Sequence, residues 1–400
     1  MSISADGRID SLDAARGLAV LGILAVNAIS FAMPMGVYPA PQLSPFPLEG
    51  ASAMGWATMH VGFERKFVAL FSMLFGVSLY LVGGELLDRE RGRLLNCRLG
   101  WLALIGLIHG LAFWYGDILL LYALCGFAVM AARSWRGSLL LTVGGLIWFG
   151  LGVAYALMMG SLAFAPPEVL ESVGEAMAMG GMLTADGVRE TIAAYREGAW
   201  GSTWNNILSW AAMQPNALMG FGPSTAGLML MGLGLYKLRF WTGGWPAWSY
   251  LALIAAAGVL LAGSGLHARA MLAEGFPFPA YMNRWVNDIF APVIVLGYVS
   301  VLILLLRRGA AALLWPLRAT GRMAFTNYLT QTLIMTSIFY VGRGLGWFGL
   351  VDWPALWAIV ASVWLAQLIW SPLWLSRFNY GPLEWLWRSL TLGRRVPIRR

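Results

Sequence analysis

Apolar runs long enough to cross a bilayer as helices, about 17–25 residues each, recur along nearly the whole of this chain. Ten are read, at approximately 17–34, 58–82, 98–114, 118–132, 138–160, 206–236, 247–266, 289–306, 323–341 and 353–376. A segment in hydrocarbon must satisfy its own backbone hydrogen bonds, which leaves helices or closed barrels. Alternating strand patterns of about ten residues, the mark of an outer-membrane barrel, are absent. Charged residues make up only 12% of the 400, where a soluble domain carries roughly twice that share. The expectation is an all-α, polytopic transmembrane bundle of about ten spans, forming one integrated domain over residues 1–400.

The formal charge of +8 suggests a nucleic-acid partner only until the basic residues are placed. With the N-terminus inside, 20 of the 27 Lys and Arg fall on the cytoplasmic side and 7 on the other. That is a strong positive-inside bias and puts both termini in the cytoplasm. The excess spreads over many turns rather than one face, which argues against nucleic acid and for attraction to anionic lipid. Cys97 and Cys125 give no disulfide framework, and no Cys/His spacing suggests a metal. Asp6, Asp10 and Asp13 interrupt what a cleaved leader would need to be basic, so the first span reads as retained.

Between the spans, residues 35–57 form a Pro- and Gly-rich outer loop, and residues 161–205 form the largest outer segment. The second holds two short helices, one from Pro166-Pro167 to Ala178 and one from Asp186, read as its N-cap, to Gly198. Inside, Glu85 to Arg98 reads as a tight basic hairpin, and residues 309–321 as an amphipathic connection ending at Gly321. Residues 378–392 resemble an interfacial helix opened by Gly381-Pro382, with Trp385 and Trp387 at the membrane surface and Glu384 and Arg388 tying it down.

Ionisable groups inside a span are functional-site candidates by default, and the run Gly106 to Asp117 holds one. His109 lies about one turn from the outer end of its span, flanked by Gly106 and Gly110 at GxxxG spacing, which lets a neighbouring helix come close. It reads as a general base or transient acyl acceptor; a histidine bonded between helices is the structural alternative. Asp117 opens the next helix as a cap. The short Trp114-Tyr115-Gly116 link also lets it reach the second ring nitrogen, orienting the imidazole.

Arg16 and Asn27 share the first span, roughly 16 Å apart: Arg16 snorkels to headgroups or holds an anion, and Asn27 faces the interior. Asn327 and Gln331 form one i, i+4 polar row and Tyr328 and Thr332 a second; interhelical bonding competes with lining a cavity. Glu64-Arg65-Lys66, with Arg284 and Asp288, either rim an outer substrate site or form interfacial ion pairs. His60 and His267 sit near outer span ends and read as solvated.

Several segments together resemble the YeiB family of bacterial membrane proteins. They are Leu12 to Asn27, Lys66 to Gly76, Gly106 to Tyr122, Gly321 to Gln331 and Gly381 to Arg388, in an order covering nearly the whole chain apart from 161–205. The resemblance implies a weaker link to transmembrane acyltransferases, including heparan-alpha-glucosaminide N-acetyltransferase and bacterial membrane O-acyltransferases. Those enzymes move an acyl group from cytoplasmic acyl-CoA to an acceptor across the membrane. In the O-acyltransferases a span-one Arg is followed about ten residues later by a functional His. This chain has Arg16 but Asn27, so that role passes instead to His109.

The leading expectation is thus an inner-membrane acyltransferase with no permanently bound cofactor, using acyl-CoA as cosubstrate and an outer hydroxyl or amine as acceptor. That acceptor would be an envelope glycan, a lipid or a small molecule. Arg16, Arg318 and Arg322 would hold the donor, His109 would act as base with Asp117 orienting it, and Asn27 would donate to the oxyanion. Asn327, Gln331 and Arg284 would contact the acceptor. The alternative is a transporter of a small metabolite, with broken helices near mid-membrane for which Pro215, Gly220 and Pro223 are the candidate. A non-catalytic envelope scaffold is the third reading.

Overall fold

The structure is a computed structural model that describes residues 9–177 and 183–399. Arg8, Asp6, Arg400 and the expected helix end at Ala178 lie outside the described residues. In chain order the helices are α1 (Asp10–Ala32), α2 (Gly50–Gly62), α3 (Lys66–Gly83), α4 (Arg89–Ala112), α5 (Leu119–Val129) and α6 (Gly137–Ser161). Two short outer helices follow, α7 (Pro167–Met177) and α8 (Ala185–Arg196), then α9 (Ala199–Asn216), α10 (Gly222–Lys237), α11 (Ala247–Glu274) and α12 (Trp285–Arg307). The chain closes with α13 (Trp315–Arg322), α14 (Ala324–Phe339), α15 (Trp353–Leu375) and α16 (Pro382–Leu392). No strand occurs among the described residues, only one isolated bridge between Phe378 and Arg399.

Among the described residues, eight segments are long and apolar enough to cross a membrane, so the chain is a polytopic helical bundle. The two expected spans outside that group, 118–132 and 323–341, are shorter helices. α14 has 16 residues, about 24 Å at 1.5 Å per residue, less than the hydrocarbon thickness. α5 is shorter still, because the turn that precedes it is sunk within the bundle.

α1 runs through the centre, with its apolar side chains from Leu12 to Ala32 almost all buried. Close approach of backbones sets its neighbours. A Cβ at Gly321 would lie 1.9 Å from the Asp13 carbonyl oxygen, and one at Gly17 would lie 2.0 Å from that of Leu317. α13 therefore lies directly on the first turns of α1. The same device joins α3 and α10: a Cβ at Gly76 would be 2.0 Å from Met229 O, and one at Gly232 would be 2.0 Å from Met73 O. α6 and α11 sit at the rim and turn most of their surface outward.

Several boundaries differ from the sequence reading, four of them for a clear local reason. The second span is broken: α2 ends at Gly62, and Arg65 takes a left-handed backbone (φ 66°) before α3 begins at Lys66. The basic hairpin shrinks to a turn at 84–88, because the Asp88 carboxylate accepts from Arg91 N at 3.0 Å and starts α4 there. Thr184 rather than Asp186 caps α8, its hydroxyl accepting from Gly187 N at 3.1 Å, while Asp186 pairs with Arg189. Pro215 does not break its span; α9 passes through a π-helical turn, Ala217–Phe221, into α10.

Candidate active site

His109 lies near the end of α4, where the two flanking glycines meet different partners. A Cβ at Gly106 would lie 2.3 Å from Leu120 N, and one at Gly110 would lie 2.1 Å from Trp210 Nε1. The start of α5 and the side of α9 thus close on the imidazole from two directions. The ring is 3% exposed. Its Nδ1 is 2.8 Å from Asp117 Oδ1, and its Nε2 is 3.0 Å from Thr332 Oγ1 on α14. The second oxygen of Asp117 accepts from Leu120 N at 3.0 Å, so one carboxylate both caps α5 and holds the ring. An ionised Asp117 can only accept, which puts the proton on Nδ1 and turns the Nε2 lone pair toward the Thr332 hydroxyl.

His109 lies in the last turn of α4, about one turn from the end of its span as expected. Thr332 is the ninth of the 16 residues of α14, so the imidazole stands level with the middle of that helix. α9 covers the α4–α5 turn: Asn206, fully buried, accepts from Tyr115 N at 2.7 Å and donates to Gly110 O at 2.9 Å. Arg343 donates to Phe113 O at 2.7 Å from the same side.

From the opposite, Arg-rich side a cavity of about 490 Å³ rises toward the ring. Its mouth carries Arg16, Arg98, Arg322 and Arg388, with Glu384 and Asp13 beside them. Its shaft is apolar, walled by residues such as Leu74, Phe75, Leu99 and Leu102, and its inner end is Leu119, Tyr122 and Tyr328. The Tyr328 ring centroid is 5.6 Å from that of His109, one helical turn below Thr332. Tyr328 therefore separates the cavity from the imidazole. At the mouth, Arg16 pairs with Asp13 at 3.0 Å and Arg98 lies 3.8 Å over the Trp387 ring. Glu384 accepts from Phe325 N at 2.7 Å and Thr326 N at 3.0 Å, fixing α16 to the start of α14 rather than pairing with Arg388. Burial pushes its carboxyl above the ordinary carboxylate value, against the pull of those bonds.

Of the residues expected at the site, His109, Asp117, Arg16 and Arg322 fall on it. Arg318 does not: it pairs with Asp10 and donates to Ala311 O, since α13 turns it along the surface of α1. Asn327 and Gln331 are consumed in packing. Asn327 donates to Thr320 O and Ser371 Oγ, and Gln331 donates to Val20 O and Gln367 Oε1. The rotation of α14 turns the other row, Tyr328 and Thr332, to the imidazole. Asn27 is half-buried; it neither lines the cavity nor bonds to His109. Arg98, read from the sequence as the end of a basic cytoplasmic hairpin, and Arg388, read as tying down the last helix, also line the mouth; nothing in their spacing pointed to a shared cavity.

Arg284 belongs to a second polar cluster, built around the break between α2 and α3. It pairs with Glu64, while Arg65 bonds Asp288 at 2.8 Å and Lys66 bonds Asn287 at 2.6 Å. His60 is not solvated but 2% exposed, 2.5 Å from Glu64, and His267 stacks on it, half-buried. A helix break frees carbonyls that hydrocarbon cannot satisfy. Here Lys66 Nζ and Asn287 Nδ2 donate to His60 O, and Tyr298 donates to Gly62 O. The cluster clamps the break to α12.

Comparison with known proteins covers the whole chain. A family model described as a protein of unknown function (DUF418) matches residues 235–394. The uncharacterised protein YeiB of Escherichia coli is 33% identical, over 97% of each chain. The uncharacterised protein YxaH of Bacillus subtilis is 29% identical, over 98% of this chain and 96% of its own. An uncharacterised 39.9 kDa protein from the amylase 3' region of Bacillus acidopullulyticus is 28% identical, over 99% and 97%. No solved structure matches. With a relative at that identity aligned end to end, the chain belongs to the YeiB family.

Proposed function

We propose that this chain is an inner-membrane acyltransferase that takes its acyl group from acyl-CoA on the Arg-rich side and passes it to a hydroxyl or amine from the other side. One observation carries the reading: the arginine-mouthed cavity ends at Tyr328, whose ring touches the imidazole held between Asp117 and Thr332. The donor's phosphates suit the guanidinium groups of Arg16, Arg98, Arg322 and Arg388, which bind such oxygens in pairs. The shaft leads the thioester toward the ring. His109 Nε2 then takes the acceptor's proton as the new acyl–oxygen or acyl–nitrogen bond forms. The carbon–sulfur bond breaks, and the proton goes on to the departing thiolate. Asp117 keeps the ring in the required tautomer and stabilises the imidazolium. Thr332 stands at Nε2 where the acceptor's hydroxyl would bond. The acceptor reaches this point from beyond α9, and membrane lipids, envelope glycans or small molecules supply it.

The test is transfer of a labelled acyl group from acyl-CoA into envelope material by proteoliposomes, with His109→Ala beside the parent chain. Transfer is expected from the parent and lost by at least about a hundredfold in the variant, the range of one general base. Equal transfer by the two sinks the assignment.

A transporter of a small metabolite is the second reading, favoured by the broken second span with its charged cluster. Substrate sites of such proteins lie between half-helices near mid-membrane. Here α3 has 18 residues and crosses alone at about 27 Å, which leaves the break at its outer end. Solute uptake without acyl-CoA turnover would select this reading.

A further inference from the structure

We propose that the groove between α14, α15 and the start of α16 binds one anionic phospholipid of the Arg-rich leaflet. The groove encloses about 480 Å³ and is walled by Trp370, Leu373, Trp374 and Phe378 on one side and by Met323 and Thr330 on the other. Its polar wall atoms are already engaged. Trp370 Nε1 donates to Asn327 Oδ1, Trp374 Nε1 donates to Tyr380 O, and Thr330 donates to Thr326 O. The walls therefore offer contact to hydrocarbon and nothing to a soluble polar ligand.

The rim is different. Arg377 is exposed, and its guanidinium has no ion-pair or hydrogen-bond partner among the described residues. The bridge between Phe378 and Arg399 sets a second exposed arginine directly opposite Phe378 of the groove wall. Glu384, the acidic residue of α16, is turned to the backbone of α14 and does not compensate them. Two guanidiniums without an acidic partner among the described residues, Arg377 at the trough's rim and Arg399 opposite Phe378, at the level where α15 leaves the membrane, match a phosphate joined to acyl chains. The leaflet on the positive side is also the one whose surface carries anionic lipid. Phe325 and Tyr328 face the arginine cavity while Met323 and Thr330 face the groove, so α14 divides the two and this proposal stands apart from acyl transfer.

The full chain, purified in mild detergent, is titrated with phosphatidylglycerol or phosphatidylcholine of the same acyl chains and read by native mass spectrometry. One phosphatidylglycerol per chain is expected, held at least about fivefold more tightly than phosphatidylcholine, the effect of one guanidinium near a charged headgroup. Arg377→Ala is expected to weaken that preference to about twofold or less. Leu373→Trp fills the trough at a side chain that is 66% exposed, so it leaves the fold in place and is expected to abolish tight binding of both lipids. Glycerol phosphate at millimolar concentration is expected not to compete. Equal binding of the two lipids by the parent, or a preference unchanged in Arg377→Ala, overturns the proposal. So does displacement by glycerol phosphate, which would mean a site for phosphate alone.

Discussion

Asp117 reaches back across the α4–α5 turn to set Oδ1 2.8 Å from Nδ1 of His109, while its Oδ2 accepts from Leu120 N at 3.0 Å. Ring orientation and helix start thus depend on one side chain, and the two roles separate by substitution. Asp117→Ala loses both, and the unfolding free energy is expected to fall by about 1–3 kcal/mol through the lost cap and the orphaned ring nitrogen. Asp117→Asn can still cap but presents a different partner to Nδ1. It is expected to stay within about 1 kcal/mol of the parent while losing acyl transfer as His109→Ala does. Thermal unfolding in detergent beside the transfer assay checks the split.

Thr332 supplies the other half of the clamp on the ring. Thr332→Val keeps the shape and removes the hydroxyl, leaving a buried nitrogen unpaired at an expected cost of about 1–3 kcal/mol. Thr332→Ser keeps the bond and is expected to lie near the parent. Equal melting temperatures for the Val and Ser variants would show that the 3.0 Å contact contributes nothing.

The backbone approach between α3 and α10 makes a prediction about glycine. Gly76→Val places methyl groups where a Cβ alone would lie 2.0 Å from Met229 O, and overpacking of that kind costs about 1–3 kcal/mol or more. Gly258 on α11 has nothing within 4 Å of its Cβ position, so Gly258→Ala is expected to stabilise by up to about 1 kcal/mol through helix propensity. Size-exclusion profiles after graded heating rank the two variants against the parent.

Glu384 makes stability depend on pH with a definite sign. Its carboxyl is raised in the folded chain by burial, so the native state holds the proton more tightly than the unfolded one. The stabilising contribution is fully present below the ordinary carboxylate value of about 4.3. It is lost as pH rises through the higher native value. Parent chain and Glu384→Gln are compared by melting temperature between pH 4 and 7. The parent is expected to lose stability relative to the variant as pH rises; parallel curves would refute it.

What could be read in advance was what local spacing controls. The His109–Asp117 contact spans eight residues across the six-residue link between α4 and α5, so chain connectivity alone brings the groups together. The glycines around His109, the helix at Pro382 and the crossing of the membrane follow from periodicity and from the cost of unsatisfied backbone in hydrocarbon. The burial of His60 is not legible in the sequence, because at an outer span end it depends on the break at Arg65, which places Glu64 and Asn287 around it.

The pattern of apolar runs by itself determined a helical membrane bundle, and the short spacing of His109 and Asp117 determined that they meet across a turn. Tertiary structure alone decided that Thr332 rather than Gln331 meets the ring, and that Arg98 and Arg388 join Arg16 and Arg322 at one mouth. The reason is geometric. Polar residues on one helix share a sequence neighbourhood whichever way the helix is rotated; packing between segments far apart in the chain, such as the close approach of α1 and α13 at Gly17 and Gly321, decides which neighbours they face.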